Sequence, residues 1–309
     1  MRVYSEDQVR QAINLDDVIR VIREAFARGF DTVRMPVRTS LSMDKAMLLI
    51  MPCYDSALKA AGVKLVSVSV KAGVQAFYEL LDPQTGITVA RMEAKYLTDI
   101  RTAATSAVAT DLLARKDVQT LGIFGSGRIA TAHLAALPRV RNFKRVLVCG
   151  SGGSDISAFC EKMKNELGVH LEPAKAETLA RESDVICTCT TSHEALFDGN
   201  WLRPGIHLNL VGIFTPDECE VDDITVKRAR VVVDTYDGAM LEAGDLLIPL
   251  KNGTIERSHI IADLHEIASD KKVARTSAES ITLFKSVGCA LEDLVTAQLV
   301  YRKTNVDND

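Results

Sequence analysis

Two sets of residues in this chain have the types and spacing to do chemistry. The first is Leu121-Gly122-Ile123-Phe124-Gly125-Ser126-Gly127-Arg128-Ile129-Ala130, where a G-x-G-x-x-A pattern directly follows a short apolar run and opens a helical one. Gly125 permits a tight turn, Gly127 lets the backbone approach a pyrophosphate, and Ala130 lets the helix lie close to the strand while its free N–H groups face the anion. Glycine also serves ordinary turns, so the flanking strand and helix patterns carry the dinucleotide-binding reading. The second set is cationic: Arg38 begins a β-type segment, Lys64 lies within Ala61-Gly62-Val63-Lys64-Leu65-Val66, and Arg101 follows Ile100 on a helix of small residues. Cations in apolar surroundings need partners, because a buried unpaired charge is costly. A substrate carboxylate is one such partner. Taken singly, each cation reads more readily as a salt-bridged or snorkelling surface residue.

The second apolar run after the glycine loop ends at Cys149 and continues Gly150-Ser151-Gly152-Gly153, where an NAD-binding chain would present a carboxylate to the ribose hydroxyls. Small polar residues leave room there for a 2′-phosphate without supplying an Arg clamp, which favours NADP over NAD. Asp155 reads as a helix cap. Thr188-Cys189-Thr190-Thr191-Ser192 ends one buried run, and Val211-Gly212-Ile213-Phe214-Thr215-Pro216 ends another. Ligands of doubly wound folds lie beyond the carboxyl ends of the strands, so both loops should face the nicotinamide half of the cofactor. Ordinary turn chemistry explains their side chains equally well.

The elements that must position these groups follow from periodicity. Ser5 and Gln8 have capping-box spacing, and Asn14 caps a second helix whose Val18, Ile22, Ala25 and Phe26 share a face before Gly29 stops it. Between residues 38 and 90 the period shifts towards two, with β-type runs at 46–51, 62–70 and 86–90 separated by Pro52, Asp55-Ser56 and Asp82-Pro83. That pattern predicts an antiparallel sheet with turns. Residues 93–115 read as a long helix rich in Ala, Thr and Ser. After Arg115-Lys116-Asp117, the runs 118–124, 145–149, 184–189, 206–213 and 229–235 are short and nearly continuously apolar, as strands covered on both faces should be. Helical segments at 128–137, 156–167 and 177–182 separate them, which predicts a parallel, doubly wound sheet with right-handed crossovers. The tail from 277 to 302 reads as helical, with Leu291 and Leu294 continuing one face past Gly288.

Composition narrows the function classes. A length of 309 residues gives about two domains, and 47% apolar with 25% charged residues is ordinary globular usage, which excludes a disordered, collagen-like or disulfide-scaffold chain. With a formal charge of −4 and Lys and Arg scattered along the chain, no nucleic-acid footprint stands out. The start lacks the apolar segment of a signal peptide and no apolar stretch reaches membrane-spanning length, so the expected location is cytoplasmic, without a membrane partner. The seven cysteines are odd in number and include no C-x-x-C pair; buried free thiols are expected, with no zinc or other metal.

The motifs also stand in a familiar order. Pro36-Val37-Arg38, Met51-Pro52, Gly62-Val63-Lys64, Asp82-Pro83-Gln84-Thr85-Gly86, Leu97-Thr98-Asp99-Ile100-Arg101-Thr102-Ala103-Ala104, the glycine loop and Thr282-Leu283-Phe284-Lys285-Ser286-Val287-Gly288 make the chain resemble the ornithine cyclodeaminase/mu-crystallin family over nearly its whole length. The resemblance implies an α/β fold: a Rossmann-type doubly wound parallel sheet plus a discontinuous α/β substrate-binding and dimerisation domain. The expected division is 1–114 for substrate binding and dimerisation, 115–284 for NAD(P), and 285–309 for a C-terminal helix returning to the first domain. A homodimer with its active site between the domains is implied.

By motif match, Arg38 and Arg101 clamp the substrate α-carboxylate and Lys64 assists proton transfer, with Met51 and Phe214 also at the substrate. Gly125, Ser126, Gly127, Arg128, Ile129, Ala130, Ser151, Thr190, Thr191, Val211, Ser286 and Gly288 are expected at the NADP or NAD cofactor. A lysine beside two arginines should also lose its proton more readily than a free one. One departure matters. Ornithine cyclodeaminases carry Asp-Cys-Pro-Gly after the strand that ends here at Gly212-Ile213, and that Asp is thought to engage the distal amine. This chain has Phe214-Thr215-Pro216-Asp217. Phe214 cannot hold an ammonium, and Asp217 is expected to cap a helix. The expected activity is therefore NAD(P)H-dependent reduction of a cyclic ketimine carboxylate, Δ1-pyrroline-2-carboxylate or Δ1-piperideine-2-carboxylate, with Phe214 as an apolar wall for the ring. Ornithine cyclisation to proline and ammonia, an alanine-type amino-acid dehydrogenase and an NADP-dependent carrier of small ligands are the rivals.

Overall fold

The structure is a computed structural model that describes residues 1–306 apart from Gly152, Ser154 and Val169. The chain forms two compact units, Met1–Thr105 with Gly288–Asp309, and Ser106–Val287.

The first unit begins with β1 (Arg2–Tyr4), α1 (Glu6–Ala12) and α2 (Leu15–Arg28). Ser5 and Gln8 close the anticipated reciprocal cap on α1, and Asn14 accepts from Asp17 N at the start of α2. Val18, Ile22, Ala25 and Phe26 are buried together on one face of α2. Strands β2 (Val33–Arg34), β3 (Thr39–Met43), β4 (Ala46–Asp55), β5 (Ala60–Ser69), β6 (Gly73–Leu81) and β7 (Thr88–Glu93) follow, then α3 (Lys95–Leu113), whose residues from Ser106 on belong to the second unit. The sheet runs β1-β7-β6-β5-β4-β2, with β3 also paired to β4. All its pairs are antiparallel except β1 with β7. In this ladder Met51 lies opposite Lys64 and Lys64 opposite Tyr78, so the three share one face. The C-terminal helix, Ala290–Val306, packs on α2 and on β4, β5 and β6, which buries that face.

The second unit is an eight-stranded sheet of β8 (Thr120–Phe124), β9 (Arg145–Cys149), β10 (Leu171–Pro173), β11 (Val185–Thr188), β12 (His207–Leu210), β13 (Arg230–Val233), β14 (Ile260–Asp263) and β15 (Thr282–Lys285). Its order is β10-β9-β8-β11-β12-β15-β13-β14 and every pair is parallel. The helices connecting its strands include α4 (Arg128–Ala136), α5 (Ile156–Leu167), α6 (Ala176–Glu182) and α7 (Asp223–Arg228). Asp155 caps α5 by accepting from Ala158 N, as its position suggested. Strand order reverses around β8, so the glycine loop that follows β8 sits at the topological switch point.

One stretch departs from expectation. Residues 277–289 were expected to be helical, but Thr282–Lys285 is a strand inserted between β12 and β13, and the helix begins only at Ala290. Four residues covered on both faces carry no period that separates strand from helix.

Candidate active site

In the second unit the glycine loop has the geometry its residues suggested. Gly125 has φ 110°, and a Cβ there would stand 2.5 Å from the Cys189 carbonyl oxygen, so only glycine fits the turn. Gly127 is the N-cap of α4 and makes no side-chain cap hydrogen bond, and among the described residues no atom beyond its chain neighbours lies within 4 Å of where its Cβ would be. Ala130 is fully buried where α4 meets the sheet. An open helix N-terminus behind a tight glycine turn fits a dinucleotide pyrophosphate, with the N–H groups of α4 as donors. Ser126 is half-buried and Arg128 exposed beside this opening, with Ile129 half-buried one residue on. Ser151 is exposed beyond the end of β9, and Gly152 of the same loop lies outside the described residues.

The loops after β11 and β12 are held by a residue that sequence reasoning missed. Glu220, fully buried, accepts through Oε1 from Thr190 N (2.9 Å) and Thr190 Oγ1 (2.7 Å), and through Oε2 from Thr188 Oγ1 (2.6 Å) and Gly212 N (2.9 Å). Asp245 Oδ1 accepts from Glu220 N at 2.7 Å, while Lys285 Nζ donates to Asp245 Oδ2 and to the Ile213 carbonyl, both at 2.6 Å. Burial, and then the Asp245 charge, push the Glu220 carboxyl above its usual range. Thr190 is thus engaged by Glu220, with Thr191 exposed and Val211 half-buried in the same two loops. Ser286 Oγ donates to Asp234 at 3.0 Å, and Phe214 packs partly buried against the second unit's core.

In the first unit the cations converge. Lys64 is 1% exposed and donates to Asp293 Oδ1 at 2.9 Å, with Oδ2 at 2.8 Å. Arg101 places Nη1 2.7 Å from Glu292 Oε2 and Nε 3.0 Å from Asp293 Oδ1. Arg38 Nη2 donates to the Gly288 carbonyl at 3.4 Å. Gly288 has φ 80°, and a Cβ on it would stand 2.5 Å from Arg101 Nη1, so both guanidinium groups reach this glycine from the first unit's own elements. Met51 is buried opposite Lys64. Burial first, then the Arg101 charge, bring the Lys64 ammonium down to about 8 against the pull of Asp293. The lowered value was anticipated from the two arginines, but desolvation is its main cause. Burial also opposes the Arg101 charge, yet Asp293 and Glu292 outweigh it and raise Arg101 above its ordinary value.

Comparison with known proteins settles the lineage: the family described as ornithine cyclodeaminase/mu-crystallin matches residues 1–308. The chain belongs to this family. A Δ1-pyrroline-2-carboxylate reductase of Bacillus cereus is 36% identical over 98% of this chain and 96% of its own length. The ketimine reductase mu-crystallin of Mus musculus is 34% identical over 96% of this chain and 94% of its own. Among solved structures, Δ1-pyrroline-2-carboxylate reductase of Thermococcus litoralis, in complex with NADH and L-proline, superposes with a TM-score of 0.95 at 36% identity, covering 99% of this chain and 98% of that one.

Lys64 and Arg101, read singly as salt-bridged or snorkelling surface residues, are salt-bridged but buried: they hold Asp293 and Glu292 from the C-terminal helix. Acidic residues on a helix read as a solvated face; here Leu291 and Leu294 on either side are fully buried too, so the helix has no solvated face at that turn. One expectation needs correcting: Asp217 is exposed in a turn and is the N-cap of no helix among the described residues, whereas Asp222 caps α7 by accepting from Thr225 N at 2.8 Å. The signals for the missed groups were faint: an acidic pair between two leucines, and Lys285 as the one cation in an apolar run.

Proposed function

We propose that the protein is an NAD(P)H-dependent reductase of a cyclic ketimine carboxylate, Δ1-pyrroline-2-carboxylate first and Δ1-piperideine-2-carboxylate second, yielding the cyclic amino acid. The observation that carries the reading is the convergence of cations in the first unit. Arg38 and Arg101 both reach Gly288, and Lys64 lies buried beside Arg101, where the two share Asp293. Guanidinium groups gathered in this way suit a carboxylate ligand. The relatives named pyrroline-2-carboxylate reductase, and the solved neighbour holding L-proline, support that substrate class.

In this reading Arg38 and Arg101 orient the carboxylate, which fixes the adjacent imine carbon, and Met51 closes the apolar row beside Lys64. A bound nicotinamide supplies hydride to that carbon. Lys64, as ammonium, gives the proton that the ring nitrogen needs to become an amine, and recovers it from water. The dinucleotide is held by residues 125–130, with Ser151, Thr190, Thr191, Val211, Ser286 and Gly288 completing its site. NADPH is the preferred form, because no carboxylate stands among residues 150–153 to hold a ribose 2′-hydroxyl. Phe214 has neither the charge to hold the distal ammonium of ornithine nor a proton to move, which sets the reductase reading above cyclodeamination.

A cytoplasmic homodimer completes the proposal; among the described residues no helix is long and apolar enough to cross a membrane. The face of the first unit's sheet opposite the C-terminal helix carries half-buried Ile50, Leu65 and Phe77, with Leu41 53% and Met43 47% exposed beside them. A second copy covering this face explains such apolar exposure. Light scattering on the purified protein should give twice the chain mass.

The test of function is direct. Purified protein with NADPH should lose nicotinamide absorbance on addition of Δ1-pyrroline-2-carboxylate and accumulate proline, with slower loss for NADH. Ornithine with NAD should release no ammonia. No absorbance loss with either reduced cofactor and either ring would overturn the reading.

A further inference from the structure

The two carboxylates of the first unit's cluster are not equivalent. Glu292 is spent on fixed partners: Oε2 meets Arg101 Nη1 at 2.7 Å and Oε1 accepts the Cys289 backbone N–H at 3.2 Å. Asp293 bridges instead, with one oxygen between Lys64 Nζ and Arg101 Nε at 2.9 and 3.0 Å and the other 2.8 Å from Lys64. Asp293 is 0% exposed, and among the described residues it is the hydrogen-bond partner of Lys64.

We infer that Asp293 is the positioning residue for proton transfer: it fixes the Lys64 amine beside Arg101 and keeps it charged in a site that otherwise favours the neutral form. This rests on the reductase reading, in which Lys64 is the proton donor. The surroundings make the assignment specific. Arg101 from α3 and Arg38 ahead of β3 both disfavour a charged lysine, as does complete burial. Tyr78 on β6 and Cys53 on β4 also face Asp293, and burial first, with Asp293 contributing, holds both in their neutral protonated forms. Asp293 therefore supplies the negative charge that opposes these influences on Lys64. Without it the lysine would be a neutral amine near neutral pH and would have no proton to give. Asp293 acts through Lys64 and needs no contact with substrate.

The test reads Lys64 itself as well as turnover. In protein labelled with 13C-lysine, the Lys64 Cε resonance, assigned by its loss in Lys64→Met, should titrate near pH 8. In Asp293→Asn the midpoint should fall by about one pH unit or more, roughly a tenfold fall in the ratio of charged to neutral amine at the original midpoint. Asp293→Ser, which leaves space for water, serves the same measurement if the amide variant does not fold. Glu292→Gln should move the midpoint less than either. The alkaline limb of kcat/KM for imine reduction should shift by the same amount as the resonance, and Asp293→Glu should restore most of both. An unmoved resonance in the neutral variants overturns the inference. So does a resonance that moves while the kcat/KM limb stays put. If the parent protein reduces no ketimine, the functional reading fails, and the Lys64 titration alone still decides whether Asp293 controls the amine.

Discussion

The molecule contains two buried charge clusters built on opposite principles. In the first unit, Arg38, Lys64 and Arg101 gather near Gly288, with Glu292 and Asp293 holding Arg101 and Lys64. In the second, Glu220 and Asp245 meet the single cation Lys285, and the surplus negative charge is absorbed by backbone N–H groups and threonine hydroxyls. A network whose acceptors are filled by its own fold has no vacancy for a ligand, and it stiffens the loops it joins. A cluster in which guanidinium groups and an amine gather around one glycine presents groups that an anion can meet. Burial alone therefore does not mark a site; the kind of group that the cluster presents does.

Four substitutions test that contrast, from the strongest effect to the weakest. Lys64→Ala should cut imine reduction on the order of 10²–10⁴-fold while leaving the NADH dissociation constant within about twofold, measured by steady-state kinetics and nucleotide fluorescence. Equal loss of nucleotide binding would make the first cluster structural like the second. Glu220→Gln should destabilise by about 2–4 kcal/mol in denaturant unfolding, because the amide nitrogen must face a backbone N–H and a hydroxyl that now donate to oxygen. A neutral outcome would mean that the network does not hold these loops. Gly288→Ala should cost about 1–2 kcal/mol for its φ of 80° and raise KM for the imine more than it lowers kcat, because the methyl group displaces Arg101. Gly127→Ala should leave stability within about 0.5 kcal/mol, because no described atom beyond its chain neighbours lies within 4 Å of the added methyl group, yet weaken nucleotide affinity.

Acid–base behaviour adds a signed expectation. A proton donor must be charged, and Lys64 is charged below its value of about 8, so kcat/KM for reduction should be level below that pH and fall above it. A rate that rises through the same range would assign Lys64 the role of base.

Much of the second unit was legible because its strands are short apolar runs between helices, and because Gly125 stands in a turn with φ 110° that demands glycine. Caps such as Ser5 and Asp155 were legible for the same local reason. What escaped was non-local. β1 is three residues long and takes its pairing from β7, while β15 is read as strand only once β12 and β13 flank it. Glu292 and Asp293 lie about two hundred residues from the cations they hold, so no spacing pattern links them to Lys64 or Arg101.

The central proposal is that the guanidinium groups of Arg38 and Arg101 bind the substrate carboxylate, and it is tested most directly by removing that carboxylate from the substrate. Compared at equal pH with the same reduced nucleotide, Δ1-pyrroline-2-carboxylate should exceed unsubstituted Δ1-pyrroline in kcat/KM by roughly a hundredfold or more. Comparable values for the two rings would contradict the claim.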